Sequence, residues 1–203
     1  MTRNRVVQLT AIANLTALSV LFYFTLKFPL PFFPSFLDIQ FSNLPAIIGG
    51  YALGPIAGSA IVVIRTLIKL PFSTTAMVGE IIDLVIGVST VLASSLVYRK
   101  MKTKKGAIIG MVAGIAVWVF VAVMANYLFV IDFYIEFFFG GAVEPLVGML
   151  SVIPGVTVDN YMEKFILYAA IPFNLLLATL VYGITFLVYK RISTLIHSLA
   201  EKR

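Results

Sequence analysis

The segment FSNLPAIIGGYALGPIAGSAIVVIRTLIKLPFSTTAMVGEIIDLVIG (41–87) places charged residues inside apolar helical runs. Turn signals at Gly54-Pro55 and at Pro71 divide it into a hairpin followed by a third helix. The embedded charges are Arg65, Lys69, Glu80 and Asp83. Each would cost roughly 2.5–3.5 kcal/mol at the centre of a membrane span, so they must pair, lie near an interface or face a polar cavity. The segment therefore predicts a polar interior, and the rest of the chain is expected to surround it.

The composition is that of an integral membrane protein. Hydrophobic residues make up 61% of the 203 residues, and the mean hydropathy is +1.04. The apolar runs are unbroken and do not alternate with period two, which indicates helices and not a β-barrel. The length allows about six spans of ~20 residues, and we expect residues 1–203 to form one membrane domain. The first apolar run is too long for a cleaved signal and is predicted to remain as a helix.

Six spans are predicted, at 6–26, 44–53, 55–70, 76–98, 106–127 and 165–189. The second is short, although it could extend back toward Phe36, and the alternative is a re-entrant hairpin over 44–70 that leaves four spans. Three prolines and several aromatic residues in the loop 28–42 predict that this loop folds back over the protein. The connection 128–163 is expected to hold a short surface helix at 144–152. An apolar face on the tail, formed by Ile192, Leu195, Ile196 and Leu199, predicts a helix along the inner membrane surface.

The basic residues predict the orientation of the chain in the membrane. Most of them lie in three segments, 3–5, 99–105 and 190–203, whereas the other loops are acidic. An even number of crossings separates each basic segment from the next, with six spans or with four. We therefore expect both termini to be cytoplasmic. The net charge of +6 is explained by these loops and does not indicate a nucleic-acid partner.

The four embedded charges suggest a specific pairing. Arg65 and Glu80 are about equally far from a turn centred near Phe72-Ser73, so antiparallel helices would bring them to the same depth. Asp83 shares a helix face with Glu80, and Lys69 is expected to extend toward the outer surface. One interpretation is an ion-pair network that joins the helices. The other is that Glu80 or Asp83 lines a ligand pocket.

Polar residues of the last two predicted spans lie in the same outer half. Asn126 is predicted to end the fifth helix, Asn174 lies inside the sixth, and Lys164 directly precedes the start of the sixth. An amide offers donors and an acceptor, which suits a neutral, hydroxyl-rich or heteroaromatic ligand. Hydrogen bonding between helices is the simpler alternative. The loop aromatics could enclose a flat ring or form an interfacial belt: Phe32, Phe33, Phe36, Phe41, Tyr127, Tyr134 and Tyr161.

Several chemistries have no support in the sequence. It contains no phosphate-binding loop of the G-x-x-x-x-G-K-[ST] type, no cysteine and a single histidine, His197 in the tail. Thiolate chemistry, a His-based triad and a histidine zinc site are therefore excluded. We predict no catalytic residues, no metal and no cofactor, and the protein is not expected to be an enzyme.

The chain resembles the substrate-binding S components of energy-coupling factor (ECF) transporters, and within them the riboflavin-specific type. The resemblance covers essentially the whole chain. It is carried by the Ala13-x-x-x-Ala17 face, the Asp38-containing first loop, FSNLPAIIGGYALGPIAG (41–58), VGEIIDLVIG (78–87) and IPFNLLLATLVYGITFLVYKR (171–191).

This resemblance implies a six-helix bundle in a bacterial plasma membrane, which binds riboflavin near the outer surface beneath the first loop. It also implies that uptake requires a membrane coupling subunit and two ATPases, with Ala13 and Ala17 packing against the coupling subunit. The predicted ligand-binding residues are Asn43, Glu80, Asp83, Asn126, Tyr127, Lys164 and Asn174.

Other functions remain open from the residues alone. The ligand could be FMN or another vitamin, with Lys164, Lys69 or Arg65 binding a phosphate. A stand-alone proton- or sodium-coupled carrier could use Glu80 and Asp83 instead. A purely structural membrane subunit would bind no small molecule.

Overall fold

The structure, a computed structural model, describes the backbone of residues 3–201 and the side chains of residues 5–189. It is helical apart from one pair of short strands. The helices are α1 (Arg3–Thr25), α2 (Asn43–Leu53), α3 (Pro55–Lys69), α4 (Val78–Met101), α5 (Lys104–Ala125), α6 (Ile131–Phe139), α7 (Glu144–Met149), α8 (Tyr161–Phe165) and α9 (Ile171–Glu201). A 3₁₀ turn follows α3 at Leu70–Phe72, and π-helical segments join α5 to α6 (Asn126–Val130) and α8 to α9 (Ile166–Ala170).

Within the described chain, five helices are long and apolar enough to cross a membrane. They cover Arg5–Thr25, Pro55–Phe72, Val78–Met101, Lys104–Phe139 and Tyr161–Tyr189. The predicted all-helical membrane architecture is thus confirmed. The predicted second span is α2, whose 11 residues reach only about 16 Å. All of α2 except Leu53 is buried, which explains why it is apolar on every side.

The first loop folds back over the bundle, as predicted. Its ends pair as antiparallel strands, β1 (Lys27–Pro29) and β2 (Asp38–Gln40). Phe33 and Ile39 are buried against the helices, and Ile39 is only 1% exposed. The suggested extension of the second helix toward Phe36 is wrong, because residues 38–40 are paired in the strand. The loop and α2 together return the chain from the end of α1 to the start of α3.

The predicted fifth span, which is the fourth long helix, does not end at Tyr127. It continues through the first π segment to Phe139, because residues 128–139 contain neither glycine nor proline. Gly140, with φ of 59°, ends it in the left-handed region. The outer connection is therefore shorter than predicted, and its expected surface helix is present as α7.

The last long helix begins at Tyr161, before the predicted start at residue 165, and its backbone continues helically to Glu201. The predicted apolar face at Ile192, Leu195, Ile196 and Leu199 lies outside the described side chains.

Glycines set the close approach of α4 to α5. Gly106, Gly110 and Gly114 follow one another every four residues along α5, so they share one face. A Cβ at Gly110 would lie 2.6 Å from the carbonyl oxygen of Ser94, so a larger residue would force the helices apart. The Thr90 hydroxyl donates to the Gly114 carbonyl at 2.8 Å. This tight contact holds the polar residues of α4 beside those of the last two long helices.

Candidate functional site

Asp83 is the centre of a buried polar cluster between α3 and α4. Its Oδ2 atom accepts from Arg65 Nη2 at 2.9 Å and from Lys69 Nζ at 2.7 Å. Its Oδ1 atom accepts from the Asn43 side-chain amide at 3.3 Å. Arg65 is 0% exposed and Lys69 is 2% exposed, so both cations are removed from solvent and share one carboxylate. Three of the predicted polar residues are thus brought together at one carboxylate.

The predicted pairing of Arg65 with Glu80 is wrong, because the turn between the helices is longer than assumed. Residues 73–77 are not helical, and Ala76 and Met77 have positive φ values of 50° and 68°. The turn is thereby recentred on Thr74, which lies midway between Arg65 and Asp83 in the sequence. Lys69 likewise points inward to Asp83 and not toward the outer surface.

Asn43 connects this cluster to the first two helices. It is the first residue of α2, and its Oδ1 atom accepts from Arg65 Nη1 at 3.0 Å. The same Arg65 nitrogen lies 3.5 Å from the Ser19 hydroxyl of α1, which in turn donates to the Ser42 carbonyl. One guanidinium therefore joins α1, α2, α3 and α4.

Glu80 is satisfied by hydroxyl groups. Its Oε2 atom accepts from Ser73 at 2.6 Å and from Thr75 at 2.9 Å, and Tyr23 OH lies 3.5 Å from Oε1. Lys69 also makes a cation–π contact with Tyr23, because its Nζ atom lies 3.7 Å from the centroid of the ring. Glu80 is 4% exposed. This carboxylate therefore holds the turn between α3 and α4 against α1.

The amide of Asn174 forms a second polar centre on α9. Its Oδ1 atom accepts from Trp118 Nε1 at 3.1 Å, and its Nδ2 atom donates to the Ala170 carbonyl at 2.8 Å. Asn174 is 8% exposed and Trp118 is 3% exposed. An amide has two N–H donors and two acceptor lone pairs, so one of each remains beyond these two contacts.

Trp118 was not predicted to belong to the site. The available signal was its type and place, since it is the only tryptophan of the chain and lies within the fifth apolar run. Tryptophan is a large apolar residue whose indole N–H needs a partner when it is buried.

Asn126, Tyr127 and Lys164 lie farther out on the last two long helices. Asn126 donates to the Ala122 carbonyl at 2.8 Å and is half-buried inside a continuous helix, not at the predicted helix end. Tyr127 is 56% exposed and lines a cavity of about 470 Å³ with Asn160, Glu163 and neighbouring residues. Lys164 Nζ lies 5.0 Å from the centroid of the Tyr168 ring.

The last two long helices each contain a π-helical segment, and the two segments are neighbours. The π segment at Asn126–Val130 contacts the one at Ile166–Ala170. Asn126 belongs to the first segment, and Asn174 binds the last carbonyl of the second. Isolated π turns in α-helices occur frequently at functional sites. The amides of these two helices therefore lie at locally irregular backbone.

The first loop packs aromatic rings against α8 and the first turn of α9. Phe33 packs edge-on against Phe173 with the ring centroids 5.3 Å apart. Phe36 packs against Phe165 at 5.9 Å. Phe173 directly precedes Asn174 in α9, so the loop packs against the helix that carries the second polar centre. Lys27 and Asp38 form a salt bridge of 3.0 Å that joins the two ends of the loop.

The small-residue face of α1 is uncovered. Ala13 and Ala17 are exposed, whereas Leu15 and Thr16 are buried against the bundle. In the part of the chain whose side chains are described, no group of three or more His, Cys, Asp or Glu residues could hold a metal ion.

These features define a class: a membrane-embedded helical bundle with buried polar centres and an aromatic loop folded back over its helices. Residues 7–189 match the model of the substrate-specific component of ECF transporters, and the chain belongs to this family. It is accordingly a multi-pass membrane subunit of a bacterial transporter that binds a substrate and works with an ECF coupling and ATPase module. It is not an enzyme, and the alternative of a stand-alone ion-coupled carrier is replaced by this assignment.

Two curated proteins are similar to the chain over much of its length. The riboflavin transporter RibU of Staphylococcus aureus (strain TCH60) is 26% identical over 186 residues, which are 92% of this chain and 90% of that protein. The riboflavin transporter FmnP of Bacillus subtilis (strain 168) is 25% identical over 145 residues, covering 70% and 76%.

A solved structure supports the same assignment. It is described as the S component of a bacterial ECF transporter and superposes with a TM-score of 0.69 at 25% identity. The match covers 93% of this chain and 96% of that one.

Proposed function

We propose that this S component binds riboflavin with high affinity at the outer end of its last two long helices. The observation that carries the proposal is the Asn174 amide, which is buried on a helix that the aromatic first loop packs against and keeps one donor and one acceptor free. Such an amide matches the alternating N–H and carbonyl edge of a flavin ring. Both similar curated proteins are named riboflavin transporters, which supports the same ligand.

The predicted site residues are expected to contribute unequally to riboflavin binding. Asn174 and Asn126 face the ring edge or the ribityl hydroxyls, while Tyr127 and Lys164 lie at the outer mouth. Glu80 and Asp83 each have three hydrogen-bonding neighbours already, and an ionised carboxylate has about four lone-pair sites. Together with Asn43, these carboxylates contact the ribityl chain through their remaining lone-pair sites. Their contribution to riboflavin binding is therefore smaller.

Charge favours riboflavin over FMN. A phosphate requires a cation that it can reach, but Arg65 and Lys69 are buried and both already bind Asp83. Lys164 is then the remaining cation from the predicted set. FMN should therefore compete poorly with riboflavin, and Lys164→Gln should change the competition little. Equal competition by FMN, abolished by Lys164→Gln, would establish the phosphorylated ligand instead.

The direct test is optical. Protein purified from rich medium should be yellow, and ligand-free protein should quench the fluorescence of added riboflavin. Because Trp118 is the only tryptophan, its emission should also fall as the flavin binds, by energy transfer. Well-folded, colourless protein that leaves riboflavin fluorescence unchanged would rule out the proposal.

We further infer that both termini are cytoplasmic and that a coupling subunit packs on Ala13 and Ala17, with two ATPases driving transport. The basic segments support the orientation, and the exposed small residues support the contact. Ala13→Leu with Ala17→Leu should abolish uptake in cells while riboflavin binding is retained. Ala116→Leu, at an exposed alanine of α5, is the matched control. Equal loss of binding and uptake would argue against a docking face.

A further inference from the structure

At the opposite end of the molecule from Asp83 and Glu80, the α2–α3 hairpin stops short of the end of α4. Gly50 of α2 lies beside Ser95, since a Cβ on Gly50 would be 3.3 Å from the Ser95 Cβ. From Gly50 the hairpin runs four residues, about 6 Å, to its turn at Gly54, whereas α4 runs six residues, about 9 Å, from Ser95 to Met101. The difference in length leaves a recess beneath the turn.

The recess is a polar cavity of about 340 Å³. Residues 50–54 line one side, and Ser95, Tyr98, Arg99 and Lys102 of the α4 end line the other. Tyr98 is held against the hairpin by stacking on Tyr51, with the ring centroids 4.8 Å apart. The Tyr51 hydroxyl in turn donates to the Ala107 carbonyl at 3.3 Å. The walls are therefore fixed by packing and are not a loose surface.

The recess is electropositive on its α4 side. Arg99 and Lys102 are both exposed, and neither has a salt bridge to a described carboxylate. The sequence has no Asp or Glu from 84 to 131 and none from 39 to 79, so α2, α3, α4 and α5 bring only Glu80 and Asp83, which lie at the other end of α4. The cations of the recess thus lack a counter-charge from these helices.

The other side of the recess offers hydrogen-bond acceptors. It contains the C-terminal end of α2, where the last carbonyls of a helix have no partner within the helix. The Tyr51 carbonyl would normally accept from residue 55, but that residue is Pro55 and has no N–H. A ligand that fits the whole recess therefore needs both an anionic group and hydroxyl donors.

We propose that this recess binds the headgroup of phosphatidylglycerol. The phosphate would lie against Arg99 and Lys102, and the glycerol hydroxyls would donate to the free carbonyls at the end of α2. Basic pockets between membrane helices are known sites for anionic headgroups. This site is separate from the proposed vitamin site and does not depend on its ligand.

The test measures lipid bound to the purified, detergent-solubilised full chain by native mass spectrometry. Phosphatidylglycerol should bind the wild type more tightly than phosphatidylcholine does. Arg99→Gln with Lys102→Gln should weaken phosphatidylglycerol binding about 30-fold, from the attraction of two basic groups for an anionic lipid. The matched control, Lys104→Gln with Lys105→Gln, removes the same charge outside the recess and should weaken binding less than about threefold, because solvent screens those charges.

Two further ligands distinguish the components of the headgroup. Phosphatidylethanol keeps the singly charged phosphodiester but has no headgroup hydroxyls, and it should bind about fivefold more weakly than phosphatidylglycerol. Inorganic phosphate at millimolar concentration should displace little of the lipid. Full displacement by inorganic phosphate would show a free-anion site and overturn the lipid assignment.

Other outcomes also overturn the proposal. Equal binding of phosphatidylglycerol and phosphatidylcholine, or equal weakening by both charge-removing pairs, would show that the recess selects no headgroup. If Arg99→Gln with Lys102→Gln left lipid binding intact but abolished assembly with the coupling module, the recess would be a protein contact. Both exposed side chains can be changed without opening the core, and an unchanged thermal unfolding curve checks this.

Discussion

The two polar centres of this protein differ in how completely they are satisfied. Around Asp83, two cations and an amide converge on one carboxylate, and four helices are joined. Around Asn174, a single amide is held by Trp118 and keeps free donor and acceptor capacity. The Asp83 carboxylate already has three partners and keeps little acceptor capacity for a ligand, whereas the Asn174 amide is oriented by Trp118 and keeps one donor and one acceptor free. The first centre therefore acts mainly as scaffold and the second mainly as binding site.

The largest effect is expected from Asp83→Asn. It leaves Arg65 and Lys69 buried without a counter-charge, and breaking a buried pair costs roughly 3–5 kcal/mol. The melting temperature in detergent should fall by about 10 °C or more. Asp38→Asn is the control, since it breaks the more exposed bridge to Lys27 and should cost less than about 1 kcal/mol. Equal shifts for the two variants would remove the distinction between scaffold and surface charge.

A triple replacement sharpens the same point. Arg65→Met, Lys69→Met and Asp83→Leu together remove all three charges and replace them with apolar side chains. Because buried ion pairs often stabilise no more than packed apolar groups, much of the stability lost in Asp83→Asn should return. If riboflavin binding also survives, the charges are not needed at the ligand.

The next effect is expected from Asn174→Leu, which keeps the volume but removes the amide. The flavin would lose its partner, and the Trp118 N–H would be left unpaired, which costs roughly 1–3 kcal/mol. The riboflavin Kd should rise about 10- to 100-fold in a fluorescence titration. Asn14→Leu, at an exposed asparagine of α1, should leave Kd unchanged. If Asn174→Leu instead lowered the melting temperature as much as Asp83→Asn does and left the riboflavin Kd unchanged, Asn174 would be part of the scaffold and not of the binding site.

The smallest effect is expected from Trp118→Phe. It retains an aromatic ring but removes the N–H that orients Asn174. Loss of one neutral hydrogen bond corresponds to about 1 kcal/mol, so Kd should rise about fivefold. If Trp118 acts through Asn174, the double variant with Asn174→Leu should bind no more weakly than Asn174→Leu alone. Additive losses would instead indicate an independent contact of Trp118 with the flavin.

Composition and local patterns predicted much of the architecture. Unbroken apolar runs indicated the membrane helices, and the prolines of the first loop indicated a covering segment. The turn at Gly54-Pro55 and the short second helix were also visible, because they depend on residues that are near in sequence. The continuation of α5 past Asn126 was missed, although the absence of a helix breaker before Gly140 pointed to it.

Which side chains pair with one another at the two polar centres could be seen only in the tertiary structure. Ala76 and Met77, with positive φ in the turn, set the helix register in which Arg65 pairs with Asp83 and not with Glu80. Lys69 pairs with the same carboxylate. Trp118 and Asn174 are 56 positions apart, and nothing local connects them. Helix period and hydropathy depend on neighbours along the chain, so the sequence alone determined a helical membrane protein with charges to bury. Which charge meets which, and which amide stays open, depends on the depth and rotation of packed helices, and only the tertiary structure decided it.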